Sequence, residues 1–85
     1  MISAAIEIEW TPPAVASIRR YLRDQEGMRA VGAAISALAD DPRPPPPEGF
    51  HRGWYHRLRV GEYRIMYVID GDLITVERVD RLPAN

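Results

Sequence analysis

The chain has 85 residues, 46% of them apolar and 27% charged, a formal net charge of −1 and no cysteine. That length suits one small domain spanning residues 1–85, and the missing cysteine excludes disulfides and thiolate metal sites. Two histidines without matching carboxylate spacing do not make a zinc site, so no metal or cofactor is expected. No apolar run approaches the roughly 20 residues that cross a bilayer, and no basic-then-apolar leader opens the sequence, so a cytoplasmic protein without a membrane partner is expected.

Ile6-Glu7-Ile8-Glu9-Trp10 alternates apolar and charged residues, the period of a half-buried strand. Thr11-Pro12-Pro13 supplies an N-cap and a first-turn proline, so a helix begins there and runs to about Asp24, with Val15, Ile18, Tyr21 and Leu22 inward. Gly27 suits the turn into a second helix, Met28 to Leu38, with Met28, Val31, Ala34, Ile35 and Leu38 at core spacing and Gly32 for close approach to the first helix. Asp40-Asp41-Pro42 ends this helical hairpin, and Pro44 to Pro47 predict an extended polyproline spacer. Strands follow over Trp54–Val60, Glu62–Ile69 and Leu73–Val79, joined at Gly61 and Asp70-Gly71. The order β-α-α-β-β-β implies an α+β fold, a mostly antiparallel four-stranded sheet with a two-helix hairpin packed on one face.

All 11 basic residues are arginine, and their distribution is polarised. Acids dominate the first half, whereas Phe50 to Arg64 carries Arg52, Arg57, Arg59 and Arg64 against Glu62 alone. Two-residue turns at Val60-Gly61 and Asp70-Gly71 place Arg59 opposite Glu62, Arg57 opposite Arg64, and Arg64 opposite Glu77. Thr75, Glu77, Val79 and Arg81 then share the face of Tyr55, Met66 and these arginines, and Leu58, Val60, Tyr63, Ile65, Tyr67, Ile69, Ile74 and Val76 form the core face. The pattern leaves two readings open: a solvated ladder of ion pairs with Glu62 and Glu77, or an anion seated between the guanidinium groups. His56, Trp10, Tyr63, Tyr67 and Trp54 are expected in the core, and His51 on a loop.

The element order, with Arg57-Leu58-Arg59-Val60-Gly61-Glu62-Tyr63-Arg64-Ile65-Met66-Tyr67 and the preceding Asp40-Asp41-Pro42-Arg43-Pro44, resembles the RelE/ParE superfamily of toxins from bacterial type II toxin–antitoxin modules, its RelE branch in particular. The resemblance covers the chain from its opening strand to about Arg81. It implies a ribosome-dependent mRNA endoribonuclease that cuts translated mRNA by metal-free attack of the 2′-hydroxyl and so inhibits translation. It also implies a cognate antitoxin, and contact with operator DNA only through the antitoxin complex. Carried over residue by residue, Arg57, Arg64 and Arg81 are the catalytic positions and Arg59 positions the substrate; Tyr55, on the same face, and His51, on a loop, are the further substrate-binding candidates. The tail departs from the pattern: Asp80 precedes Arg81, and Leu82-Pro83-Ala84-Asn85 brings neither tyrosine nor histidine. Two alternatives therefore stand beside the nuclease: a ParE-like DNA gyrase inhibitor without RNase activity, and a catalytically weak toxin acting mainly in an operator-binding complex.

Overall fold

A computed structural model describes residues 5–83; Ala84 and Asn85, the end of the predicted tail, lie outside the described residues. The elements are β1 (Glu7–Trp10), α1 (Pro12–Arg20), α2 (Gln25–Ala37), β2 (Gly49–Arg52), β3 (Tyr55–Val60), β4 (Tyr63–Asp70) and β5 (Leu73–Arg81). They form a five-stranded sheet ordered β1-β5-β4-β3-β2, antiparallel except where β1 runs parallel to β5. The α+β fold with helices on one face is the expected one, with β2 as an additional edge strand.

Both helices start where side chains satisfy free backbone N–H groups. Thr11 Oγ1 accepts from the Ala14 N–H at 3.2 Å, and Asp24 Oδ1 accepts from the Gly27 N–H at 2.9 Å. Asp24 as the cap starts α2 at Gln25 rather than Met28. The same carboxylate accepts the Tyr63 hydroxyl at 2.7 Å, which pins the start of α2 to β4. That hydrogen bond, with the Gly27 N–H, holds Asp24 below the ordinary carboxylate range and raises Tyr63 above the ordinary tyrosine range.

The helices lie over the sheet with Ala14, Val31, Ile35 and Leu38 buried against Leu58, Tyr63, Ile65, Tyr67, Ile74, Val76 and Val79. Tyr63 and Tyr67 are in the core as expected, and so is His56 at 2% exposure, stacked on Tyr67 with ring centroids 5.3 Å apart. Four placements differ. Trp54, expected in the core, is 71% exposed because it sits in the turn between β2 and β3 rather than on a strand. Val15 and Leu22 are exposed because α1 ends at Arg20 and turns Ala14 and Ser17 inward instead. Trp10 sits on the edge strand and stays 37% exposed. Gly32 faces open space, so no helix packs closely there.

The proline segment is not a free spacer. It folds back on β2 and β4: the Pro44 carbonyl accepts from His51 Nε2 at 2.6 Å, the Pro45 carbonyl from the Gly49 N–H, and the Pro42 carbonyl from the Tyr67 hydroxyl at 2.8 Å. Burial pushes the Tyr67 hydroxyl up to about 12, with the nearby Asp41 adding to the shift.

Candidate functional site

The helices leave the opposite face of the sheet bare, and the three hairpins decide which side chains it shows. Gly53, Gly61 and Gly71 have φ of 62°, 58° and 58°, and among the described residues no other residue type adopts positive φ. Each glycine occupies the first of two loop positions, as Arg52↔Tyr55, Val60↔Tyr63 and Asp70↔Leu73 close the three turns. Glycine first, with a negative φ after it, is the type II′ arrangement. The turns therefore centre on Gly61-Glu62 and Gly71-Asp72, one residue later than expected. Moving a two-residue turn by one residue shifts pairing by two, so side chains on β4 keep their face.

Arg57 and Arg64 accordingly lie on the same face, but the direct pair is Arg59↔Arg64, and Arg57 faces Met66. Tyr55 shares this face and pairs with Val68. Like charges directly opposite need neutralising. Neither expected acid does so: Glu62 bonds Arg81 at 3.1 Å, and Glu77 has no ion pair among the described residues.

Arg81 does not join the site. A register shift between Met66 and Tyr67 makes Glu77 an extra residue on β5, so Met66 pairs with Arg78, Arg64 with Asp80 and Tyr63 with Arg81. Val79 enters the core, and Arg81 turns to the helix side, its guanidinium 5.9 Å from the Tyr63 ring. The Glu62 hydrogen bond raises its pKa further. Arg78 and Asp80 take the bare-face positions instead and pair with each other at 2.8 Å. The Thr11 hydroxyl donates to the Glu77 carbonyl at 2.9 Å, tying the cap of α1 to this bulge.

His51 does not join either. It sits on β2 opposite His56, on the core side, with the two Nδ1 atoms 2.9 Å apart. Phe50 and Arg52, the neighbours of His51, are the residues that β2 presents to the bare face, opposite Arg57 and Tyr55: the Arg57 guanidinium lies 4.3 Å from the Phe50 ring and 5.8 Å from Tyr55. This sandwich restricts the guanidinium, and cation–π attraction contributes about 0.5–1 kcal/mol at such exposed sites.

A cavity of about 190 Å³ opens among Pro47, Glu48, Phe50, Arg57, Arg59, Arg64 and Leu82. The Nε atoms of Arg57 and Arg64 are shielded from solvent and have no hydrogen-bond partner among the described residues. A shielded donor left unpaired costs roughly 1–3 kcal/mol. Glu48 is the carboxylate lining it, held there because its carbonyl accepts the Arg59 N–H at 2.8 Å. Nothing in the sequence singled out Glu48, because its position depends on the fold-back of the proline segment. A second depression of about 370 Å³ lies further along the same face, between Trp54, Tyr55, Met66, Val68, Glu77 and Arg78.

A five-stranded sheet covered by two helices on one face, with an arginine-lined pocket on the other, defines a small α+β protein. Residues 8–81 match the family model for the ParE toxin of the type II toxin–antitoxin system parDE. The chain belongs to that family, within the RelE/ParE superfamily of type II toxins. No curated protein sequence matches it. Among solved structures, it resembles a chain of the Escherichia coli DinJ-YafQ toxin–antitoxin complex at TM-score 0.74 and 15% identity, covering 92% of this chain and 93% of that one. The RelBE2 toxin–antitoxin complex of Mycobacterium tuberculosis matches at TM-score 0.73 and 21% identity, over 92% and 99%. The chromosomal ParDE system of P. aeruginosa matches at 0.70 and 15%, over 95% and 100%.

Proposed function

We propose that this toxin is a metal-free mRNA endoribonuclease acting on translated messages, with the Arg57–Arg59–Arg64 pocket holding the scissile phosphate. The observation that carries this reading is the convergence of Arg57, Arg59 and Arg64 on one cavity, with no carboxylate bonded to any of them among the described residues. Guanidinium groups fixed in advance stabilise charge that grows on phosphorus oxygens, which is where transfer chemistry needs help. The 2′-oxygen attacks the adjacent phosphorus, the P–O5′ bond breaks, and a cyclic phosphate and a 5′-hydroxyl result. Glu48 accepts the 2′-hydroxyl proton, and solvent water at the open pocket supplies the proton for the leaving oxygen. Arg57 and Arg64 contact the equatorial oxygens, and Arg59 and Tyr55 position the strand. Arg81, placed on the helix side, is given no part in the chemistry.

Primer extension on a translated message tests the assignment. Arg64→Ala is expected to lose at least about 100-fold in cleavage, the scale on which removing one preorganised donor acts. Glu48→Gln is expected to lose activity while still binding RNA. Undiminished cleavage by folded Arg64→Ala refutes the assignment.

A second reading is favoured by the ParE family match and by the lack of any histidine on the arginine face among the described residues. In it the protein inhibits DNA gyrase without cutting RNA. A supercoiling assay run beside the translation assay separates the two. Both readings include an antitoxin, and the neighbours solved as toxin–antitoxin complexes support one. Co-purification with the product of an adjacent small gene is the expected result.

A further inference from the structure

We infer that the depression beside Trp54 is a nucleobase subsite, taking the unpaired base next to the phosphate held by the arginine pocket. The inference rests on the reading of that pocket as an RNA site.

Trp54 is 71% exposed because it is the second residue of the Gly53-Trp54 turn, and no other element covers it. An indole left in water in that way contributes little to the fold. Its ring meets Tyr55 edge to face at 6.0 Å and 82°. Tyr55 in turn lies 5.8 Å from the Arg57 guanidinium, which lies over Phe50 at 4.3 Å. Flat groups therefore follow one another from the arginine cavity to Trp54. Tyr55 and Arg57 are two positions apart on one face of β3, roughly 7 Å, a step close to one nucleotide of an extended strand.

The chemistry of the two depressions differs in a way that assigns backbone to one and base to the other. The arginine cavity is lined by Arg57, Arg59 and Arg64, cationic partners for phosphate. The Trp54 depression is lined by Trp54, Tyr55, Met66 and Val68 together with the charged residues Glu77 and Arg78. Arg78 is already neutralised by Asp80 at 2.8 Å, and Glu77 repels a phosphate. A neutral planar group with N–H donors fits both the walls and the carboxylate, and a nucleobase is such a group. Single-stranded nucleic acids are commonly held in this way, with bases stacked on aromatic side chains beside a basic groove.

The test measures binding of a short single-stranded RNA, made uncleavable by 2′-deoxy substitution, and of the same strand carrying one abasic position at each site in turn. Trp54→Ala is expected to weaken binding of the intact strand roughly ten-fold. It should have no effect on the strand whose abasic position falls in the subsite, and Trp54→Phe should restore most of the loss. Arg57→Ala is expected to weaken all the strands alike. Equal weakening of intact and every abasic strand by Trp54→Ala overturns the subsite. Unchanged binding in Trp54→Ala with a loss in Arg57→Ala also overturns it, while leaving the arginine pocket standing. If neither variant changes binding, or if the unmodified protein binds no strand, both readings fail. Loss of antitoxin capture by Trp54→Ala with RNA affinity unchanged reassigns the patch to a protein partner and overturns the base subsite.

Discussion

His51 and His56 face each other Nδ1 to Nδ1 at 2.9 Å, so one of those nitrogens donates and the other accepts. The Pro44 carbonyl decides which, because it accepts only from a protonated His51 Nε2. In the neutral pair His51 Nδ1 is therefore the acceptor and His56 Nδ1 carries the hydrogen. Burial lowers the His56 pKa below the ordinary histidine value, with His51 and then Arg43 adding to the effect. A group whose folded pKa is depressed contributes stability that is present above its unfolded pKa, about 6.5, and is lost as pH falls through the folded value. The melting temperature is thus expected to fall as pH drops below about 6.5, before the separate loss at Asp24 below about pH 4. His56→Phe keeps a ring against Tyr67 and should flatten the upper part of that dependence. A slope unchanged in this variant would remove His56 as its cause.

At the scale of elements, the glycines separate the effect of backbone conformation from that of packing. Gly61 has φ of 58° and open space around it, so a methyl group there meets strain but no clash. Gly61→Ala is expected to cost about 1 kcal/mol, the penalty of placing an L side chain in the left-handed region. Gly32 lies inside α2, also facing open space, and Gly32→Ala is expected to stabilise by about 1 kcal/mol through helix propensity alone. Urea unfolding of the two variants should show shifts of opposite sign. The same elements show what the sequence carried. Alternation along residues 55–69 placed Arg57, Arg59 and Arg64 on one face, and a turn displaced by one residue did not disturb that. Strict alternation through Glu77 predicts Arg81 on the bare face, and the bulge there reverses it. The signal against strict alternation was present: Val76 and Val79, both core residues, are three apart where an unbroken strand demands two or four. Strand β2 was missed because Gly49–Arg52 follows four prolines and is too short for periodicity to emerge. His51 was lost with it, since only the pairing with β3 turns its ring inward.

For the molecule as a whole, the net charge of −1 hides a gradient across the bare face. Parallel pairing of β1 with β5 puts Glu7 and Glu9 on that face at one edge, beside Leu73 and Thr75, while Arg57, Arg59 and Arg64 lie toward the other. A polyanion is thus drawn to one half of the sheet and repelled from the other, which orients it before any specific contact forms. The number of phosphates engaged is small. If three arginines each neutralise one phosphate of a single strand, log K should fall with log salt at a slope of about −2, or roughly sixteen-fold between 50 and 200 mM salt. Arg57→Ala, Arg59→Ala or Arg64→Ala should each make that slope shallower by about 0.7. Arg81→Ala should leave it unchanged, because Arg81 lies over Tyr63 on the helix side and is paired with Glu62. Oligonucleotide titrations at four salt concentrations check all of this together. A slope that drops in Arg81→Ala would mean that RNA wraps around the end of the sheet to the helix face. The bulge at Glu77 would then no longer divide binding arginines from structural ones.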